Sequence, residues 1–509
     1  MAVTEAAPPH RPGRSLAVDL GLLALASLPL LLVQYLPLHD LPNHMARLFI
    51  LRAGPDAEFL FQYYAVIPKP VPNLAFDAVA LALAPAFGIE GAVRAFCLLC
   101  LAMYFLGARW ATPVEGGRRA SAYRLAPFLF YGGPFLLGFM SFCFGVGLAI
   151  VLFAAYRRLR GGSAWRSILF LAGGGLLLVA SHLVAFGLWA IAIAVLEADL
   201  LLGVVARIGL RAALPRVRVV ALLLLCGLVP PLLIVAAAGS RTAVPAHFRW
   251  GGLWDKAEGL FALTMFADPA RELALLALAL AAVAAFLLLR IWRPGRMALL
   301  LVAAIGLAYL ALPRAAGGTS YIDYRLPWGA APFLLASLLP GAASGARQQA
   351  ANAAVAALVG ARIALVLVQW LAWSPILAGI DTALQALPRG ARLYVVEGDA
   401  GSTSRSRSPT LGHVTGYAVM RREALWPLLF ADIPGHMLSV REPYRRGWVG
   451  QAPPTLTQLD ALYDHVAVLR PESARIAPTL PLRCLAASPM FELLEVVPPG
   501  TATGRCSGR

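Results

Sequence analysis

Residues 15–51 read SLAVDLGLLALASLPLLLVQYLPLHDLPNHMARLFIL, and this stretch governs how the remainder of the chain is read. Leu16 to Leu38 is apolar apart from Asp19 and Gln34, long enough to cross a bilayer as a helix, which takes roughly 20 residues. Arg11 and Arg14 precede it and place the N-terminus on the cytoplasmic side. Ala24-Leu25-Ala26 resembles a signal-peptidase site, but the apolar run continues past it, so the segment reads as a retained signal anchor. The helix then leaves the membrane near Pro37. The polar string His39-Asp40-Leu41-Pro42-Asn43-His44 emerges on the outer side.

Composition agrees with that reading. Of the 509 residues, 60% are hydrophobic and 14% charged, against about 25% charged in soluble domains. That excludes a soluble enzyme, a disordered chain and a small disulfide framework, and leaves a polytopic membrane protein. The net charge of +17 would suggest nucleic acid in a soluble protein. Here the arginines cluster in short loops between apolar runs, the positive-inside pattern, and no nucleic-acid partner is expected. Further spans are expected near 91–109, 122–133, 139–156, 166–181, 184–205, 219–238, 273–291, 297–313, 326–340 and 352–374, making eleven with the first. Residues 74–87 are apolar but short, and read as interfacial or re-entrant. Tyr131-Gly132-Gly133-Pro134 is the expected turn of a tight hairpin over 122–156, whose helices must be short or broken.

This topology makes residues 1–374 a transmembrane domain with outer loops at 39–73, 239–272 and 314–325. Residues 375–509 form a small extracytoplasmic α/β domain. Cys97, Cys100, Cys143 and Cys226 fall in apolar runs and read as core thiols. An oxidising compartment would let Cys484 and Cys506 pair.

The first loop carries the sharpest chemistry. Pro42 suits the start of a helix, and Asp40 stands just ahead of it. His44, Arg47 and Leu51 share one helical face. A carboxylate there can deprotonate an acceptor hydroxyl, while His44 and Arg47 stabilise a departing phosphate. The plainer alternative is that Asp40 caps the helix and His44 and Arg47 meet lipid headgroups. His39, Asp40 and His44 also form a weak candidate set for a divalent metal. Tyr63 and Tyr64 suit either an interfacial belt or stacking on a sugar ring, and Lys69 suits a phosphate. Elsewhere, His182 follows Ser181 at the end of a span, and Asp323 and Arg325 flank Tyr324 just before another. Each reads as an internal partner or as a group facing a cavity, with Arg325 suited to clamp phosphate. His247, Arg249, Trp250 and Trp254 suit a lid over the cavity or a loop on the membrane surface. In the tail, His413, Tyr417, Arg421, Arg422 and His436 show no catalytic spacing. The chain has no phosphate-binding Walker loop, nucleophile elbow or dinucleotide fingerprint.

In its first loop the chain resembles the GT-C superfamily of polytopic glycosyltransferases, above all in His39-Asp40-Leu41-Pro42-Asn43-His44 and the proline-rich Pro68 to Asn73. The resemblance is specific over roughly residues 35–110 and architectural beyond. It lacks the paired acidic DxD or DE motif at this position, and the WWDYG motif of oligosaccharyltransferases. The resemblance implies an all-α polytopic fold with a GT-C-like arrangement, in a bacterial-type inner membrane. It implies sugar transfer from a polyprenyl-phosphate carrier, within the lipid bilayer, to a glycan or lipid acceptor on the outer face. Asp40 would be the base of an inverting displacement, and Arg47, Lys69, His182 and Arg325 would share the carrier phosphate. A divalent metal stays open as cofactor. A transporter or lipid flippase, or a non-catalytic assembly protein, are the competing readings.

Overall fold

The computed structural model describes residues 12–54, 56–67, 72–239, 248–264, 268–316, 319–343, 345–398, 411–432, 436–447, 462–474, 481–498, 501 and 504–506. Among the described residues, eight helices are long and apolar enough to cross a membrane. They include Pro12–Leu32, Ala75–Ala111, Met140–Leu159, Ala164–Ser181, Leu183–Ile208 and Gly345–Leu384. The chain is thus a multi-pass membrane protein. The remaining three of the eleven expected spans are shorter. Arg296–Ala311 and Ile322–Ser337 are 16-residue helices. The segment expected at 122–133 is broken into the 3-10 turn Ser121–Leu125 and the short helix Ala126–Phe130.

That break has a physical cause. Gly132 and Pro134 interrupt the helix, and the freed carbonyls need donors in the apolar interior. Arg362, fully buried on the helix Gly345–Leu384, donates to the carbonyls of Tyr131 at 2.5 Å and Thr264 at 2.7 Å, and pairs with Glu272 at 3.0 Å. The Trp328 indole donates to Leu129 O at 2.8 Å. Residues 74–87 form the first part of Ala75–Ala111, which changes direction at Gly88 (φ 67°), a conformation open to glycine.

Helices pack closely where small residues face each other. A Cβ on Gly107 would meet Ile150 Cγ2 at 2.7 Å, and one on Gly147 would meet Met103 Cβ at 2.8 Å, so Ala75–Ala111 and Met140–Leu159 approach nearly backbone to backbone. The acidic residues within or beside the spans are paired. Asp19 meets Arg109 and Arg124, each at 2.7 Å, Glu197 meets Arg160 at 2.8 Å, and Asp199 meets Arg296 at 2.6 Å.

After the last long helix comes a four-stranded sheet in the order Leu393–Glu397, His465–Leu469, Phe491–Val496, Leu482–Ser488. Its first two strands are parallel and the other pairings antiparallel. Cys484 and Cys506 are joined by a disulfide. Parallel neighbours require a long crossover. This crossover does not stay on the sheet. Leu438–Val440 pairs with Tyr64–Val66 of the first loop, bringing the C-terminal region over the end of the first span.

Candidate active site

Asp40 immediately precedes the helix Leu41–Arg52 but does not cap it with its side chain. The carboxylate is therefore available for other work, although the residue is only 8% exposed. Its backbone is fixed by a bond from its N–H to Leu137 O at 3.1 Å and another from His44 N–H to its own carbonyl at 3.0 Å. Gly138 makes that docking feasible. It has φ 86°, and a Cβ there would lie 2.9 Å from Asp40 N and 3.0 Å from Asp40 Cβ.

Three imidazoles surround this carboxylate. His413 Nδ1 lies 3.0 Å from Asp40 Oδ1 and His39 Nε2 lies 3.7 Å from it. Burial alone would raise the Asp40 carboxyl, but the neighbouring imidazoles, His413 foremost, draw it below its ordinary range. His44 sits one turn into the helix. Its Nε2 lies 3.0 Å from Gly138 O, while its buried Nδ1 has no hydrogen-bond partner among the described residues. Burial first, and the charge of Arg47 second, push His44 down to about 3, so it is neutral at physiological pH. Its ring packs against Phe76 and Phe430 at centroid distances of 5.0 and 5.9 Å.

Arg325 lies within electrostatic reach of this carboxylate. Its guanidinium lies 4.1 Å from the centre of the Phe139 ring, next to Gly138 in sequence, and its charge is coupled to that of Asp40. Nη1 donates to Ser320 O at 2.9 Å. Nε is buried and without a hydrogen-bond partner among the described residues. His182 is electrostatically coupled to Arg325. It caps Leu183–Ile208, its Nδ1 accepting from Val184 N at 3.2 Å, and its ring packs 5.1 Å from Phe142.

The other residues singled out from sequence occupy different places. Arg47 is fully buried, with Nε and Nη2 donating to Asp77 Oδ1 at 3.0 and 2.8 Å and Nη1 lying 2.9 Å from His436 Nδ1. The Tyr63 hydroxyl donates to Gly390 O, and the Tyr64 hydroxyl donates to Ala424 O and accepts from Trp426 N. Burial pushes Tyr63 up to about 12, which keeps it a neutral donor. Asp323 pairs with Lys256 at 3.0 Å. Arg249 is exposed and bridges through its backbone to Ala315. Lys69 and His247 lie outside the described residues.

Sequence reasoning assigned no role to His413, Gly138 or Asn43. Asn43 ties the loop to the crossover, donating to Leu428 O at 2.7 Å and accepting from Phe430 N at 2.9 Å. The one signal within reach was Gly412-His413, a small residue beside an imidazole. A Cβ on Gly412 would lie 2.2 Å from His39 Cε1, so glycine is what lets this segment press against the first loop. For a metal, one ligand atom each from His39, Asp40 and His413 lies within 4.8 Å of the others. His413 thus takes the place that spacing had given to His44.

No protein-family model matches the chain, and no curated protein matches it by sequence. Two solved structures share its fold. ArnT from Cupriavidus metallidurans bound to undecaprenyl phosphate is 12% identical, with a TM-score of 0.50 over 96% of this chain and 99% of ArnT. The same ArnT in the apo state is 12% identical, with a TM-score of 0.50 over 95% of this chain and 98% of ArnT. The fold expected from the first loop is therefore the fold observed, and it extends across nearly the whole chain.

Proposed function

We propose that this chain is a membrane glycosyltransferase that moves a sugar from a polyprenyl-phosphate carrier to a hydroxyl of a glycan or lipid acceptor on the outer face of the inner membrane. The observation that carries the reading is Asp40, a buried carboxylate excused from capping its helix, set against His413 and within electrostatic reach of Arg325. The ArnT fold supports it, because the related structure holds undecaprenyl phosphate.

The chemistry follows from charge placement. Asp40, kept ionised by its imidazole neighbours, accepts the proton of the acceptor hydroxyl. The acceptor oxygen attacks the anomeric carbon as the bond from that carbon to the phosphate oxygen breaks, inverting the centre. The bonding electrons leave with the carrier phosphate. Arg325, with a buried Nε still available, stabilises that charge. Neutral His44 and His182 line the site without adding positive charge that would compete with Arg325. Lys69 is a further phosphate partner on sequence grounds. Arg47 is already committed to Asp77 and His436 and positions the loop.

The test uses full-length protein in lipid nanodiscs and a panel of undecaprenyl-phosphate sugars. Carrier binding is read as thermal stabilisation, and transfer as release of undecaprenyl phosphate. One sugar-carrier class should stabilise the wild type. Asp40→Asn should keep that stabilisation and lose transfer, and Arg325→Ala should lose stabilisation. Turnover retained in Asp40→Asn would remove Asp40 as the base. Absence of stabilisation by any carrier would remove the transferase reading.

A further inference from the structure

The geometry points to a three-ligand site for a zinc-class divalent metal ion, formed by His39 Nε2, Asp40 Oδ1 and His413 Nδ1 where the C-terminal crossover meets the first loop. This inference builds on the same carboxylate as the transferase reading but does not depend on it. One ligand atom from each residue lies within 4.8 Å of the others, and Asp40 Oδ1 is 3.7 Å from His39 Nε2 and 3.0 Å from His413 Nδ1. One ion making bonds of about 2 Å spans ligand atoms up to about 4 Å apart, which covers both separations from Asp40.

Three features argue for a built site over a chance meeting of polar groups. The first is His413 itself. Its Nδ1 is buried and close to the carboxylate, yet turned so that it makes no hydrogen bond among the described residues. An imidazole nitrogen held this close to a carboxylate oxygen is placed to share one ion with it. The second is backbone restraint. His39 and Asp40 both donate their N–H groups to the 136–137 turn, at 3.1 Å each. The His413 carbonyl accepts from Gly416 N at 2.9 Å, and its ring stands edge-on to Phe430 at 5.1 Å and Trp426 at 6.0 Å. The third is Gly412, where any side chain would strike the His39 ring.

Donor chemistry selects the ion. Magnesium and calcium take oxygen ligands almost exclusively. Two imidazoles and one carboxylate suit zinc and its transition-metal neighbours. Three protein ligands also leave one position open to a substrate oxygen, as in catalytic zinc sites. Asp40 would bind through one oxygen and keep the second for the acceptor hydroxyl.

The experiment measures metal binding by full-length protein in nanodiscs, without any sugar donor. Protein stripped with chelator and titrated with Zn²⁺ should take up about one ion per chain. Substitution with Co²⁺ should give the intense visible bands of four-coordinate cobalt. His39→Ala and His413→Ala should each lower Zn²⁺ affinity by at least about 100-fold and abolish those bands. His413→Asn, which keeps a polar group near the Nδ1 position, controls for folding and should lose the bands while keeping the elution profile of the wild type. Absence of cobalt bands in the wild type, or zinc uptake unchanged in both alanine variants, would overturn the site and leave an Asp–His ion pair. The two proposals fail separately. A chain that binds cobalt but transfers no sugar keeps the metal site and loses the transferase reading. One that transfers sugar in excess chelator, with no metal bound, loses the site and keeps the transferase reading.

Discussion

Replacing Arg47 by methionine should loosen the contact between the first loop and the C-terminal crossover without acting on the carrier phosphate. Arg47 and Asp77 side chains are 1% and 5% exposed, so truncating the arginine leaves an uncompensated carboxylate in the interior. Breaking such a pair costs about 3–5 kcal/mol. At about 1.4 kcal/mol per factor of ten, the open population should rise roughly 100- to 4,000-fold. Hydrogen exchange reads that change directly, on peptides covering Leu41–Arg52 and Leu438–Val440, because Arg47 also meets His436 just before that strand. The double variant Arg47→Met/Asp77→Leu removes both charges and should recover most of the protection. The double variant should also keep carrier stabilisation. Unchanged exchange in Arg47→Met would refute the argument, as would equal loss of protection in the single and double variants. Lost carrier binding in the well-protected double variant would instead return Arg47 to the phosphate site.

Gly138→Ala should lower turnover by about 100-fold, the scale of an ångström-sized misplacement, because the added carbon would collide with Asp40; carrier-induced stabilisation should persist, and unchanged turnover would show that Asp40 is not held by this turn. Cys484→Ser should destabilise the C-terminal sheet by about 3 kcal/mol, the entropy of opening a crosslink that spans 22 residues; faster proteolysis confined to residues 462–506 would register it. Acid should loosen the same sheet through Asp464. Partial burial would raise its carboxyl, but His465 and Arg392 hold it below its ordinary value. A depressed carboxyl contributes stability above about pH 4 and loses it as pH falls through the lower folded value. Exchange protection of His465–Leu469 should therefore decline below about pH 4, and Asp464→Asn should flatten that dependence.

The parts of the fold legible in the sequence are those that local physics determines. The first span is an apolar run bounded by arginines and proline, and it needs no partner to be recognised. The disulfide needed only two cysteines in a polar segment. The segment at 122–136 was readable as broken, because Gly132, Gly133 and Pro134 announce it, but what stabilises it was not. Arg362 reaches Tyr131 O across 231 residues of sequence, and no local pattern encodes that. Arg47 illustrates the same limit at the site. Helical spacing groups it with His44, yet its guanidinium meets Asp77 and His436, residues whose proximity only the tertiary structure provides. Asp40 was legible from its position ahead of Pro42. His413 was not, because its meaning comes from the crossover that carries it to the first loop.

That crossover also sets a clock. Asn43 accepts its hydrogen bond from Phe430 across 387 residues of sequence. At about 5–20 residues per second, synthesis of the intervening chain takes roughly 20–80 s. For that interval Asp40 has already been made, while the wall that completes its surroundings has yet to be translated. A ribosome that stalls within the later spans would therefore release a membrane-inserted fragment with a carboxylate but no assembled pocket. The architecture leaves the surroundings of Asp40 unfinished until the crossover through Phe430 has been made, and so ties assembly of this site to synthesis of that segment.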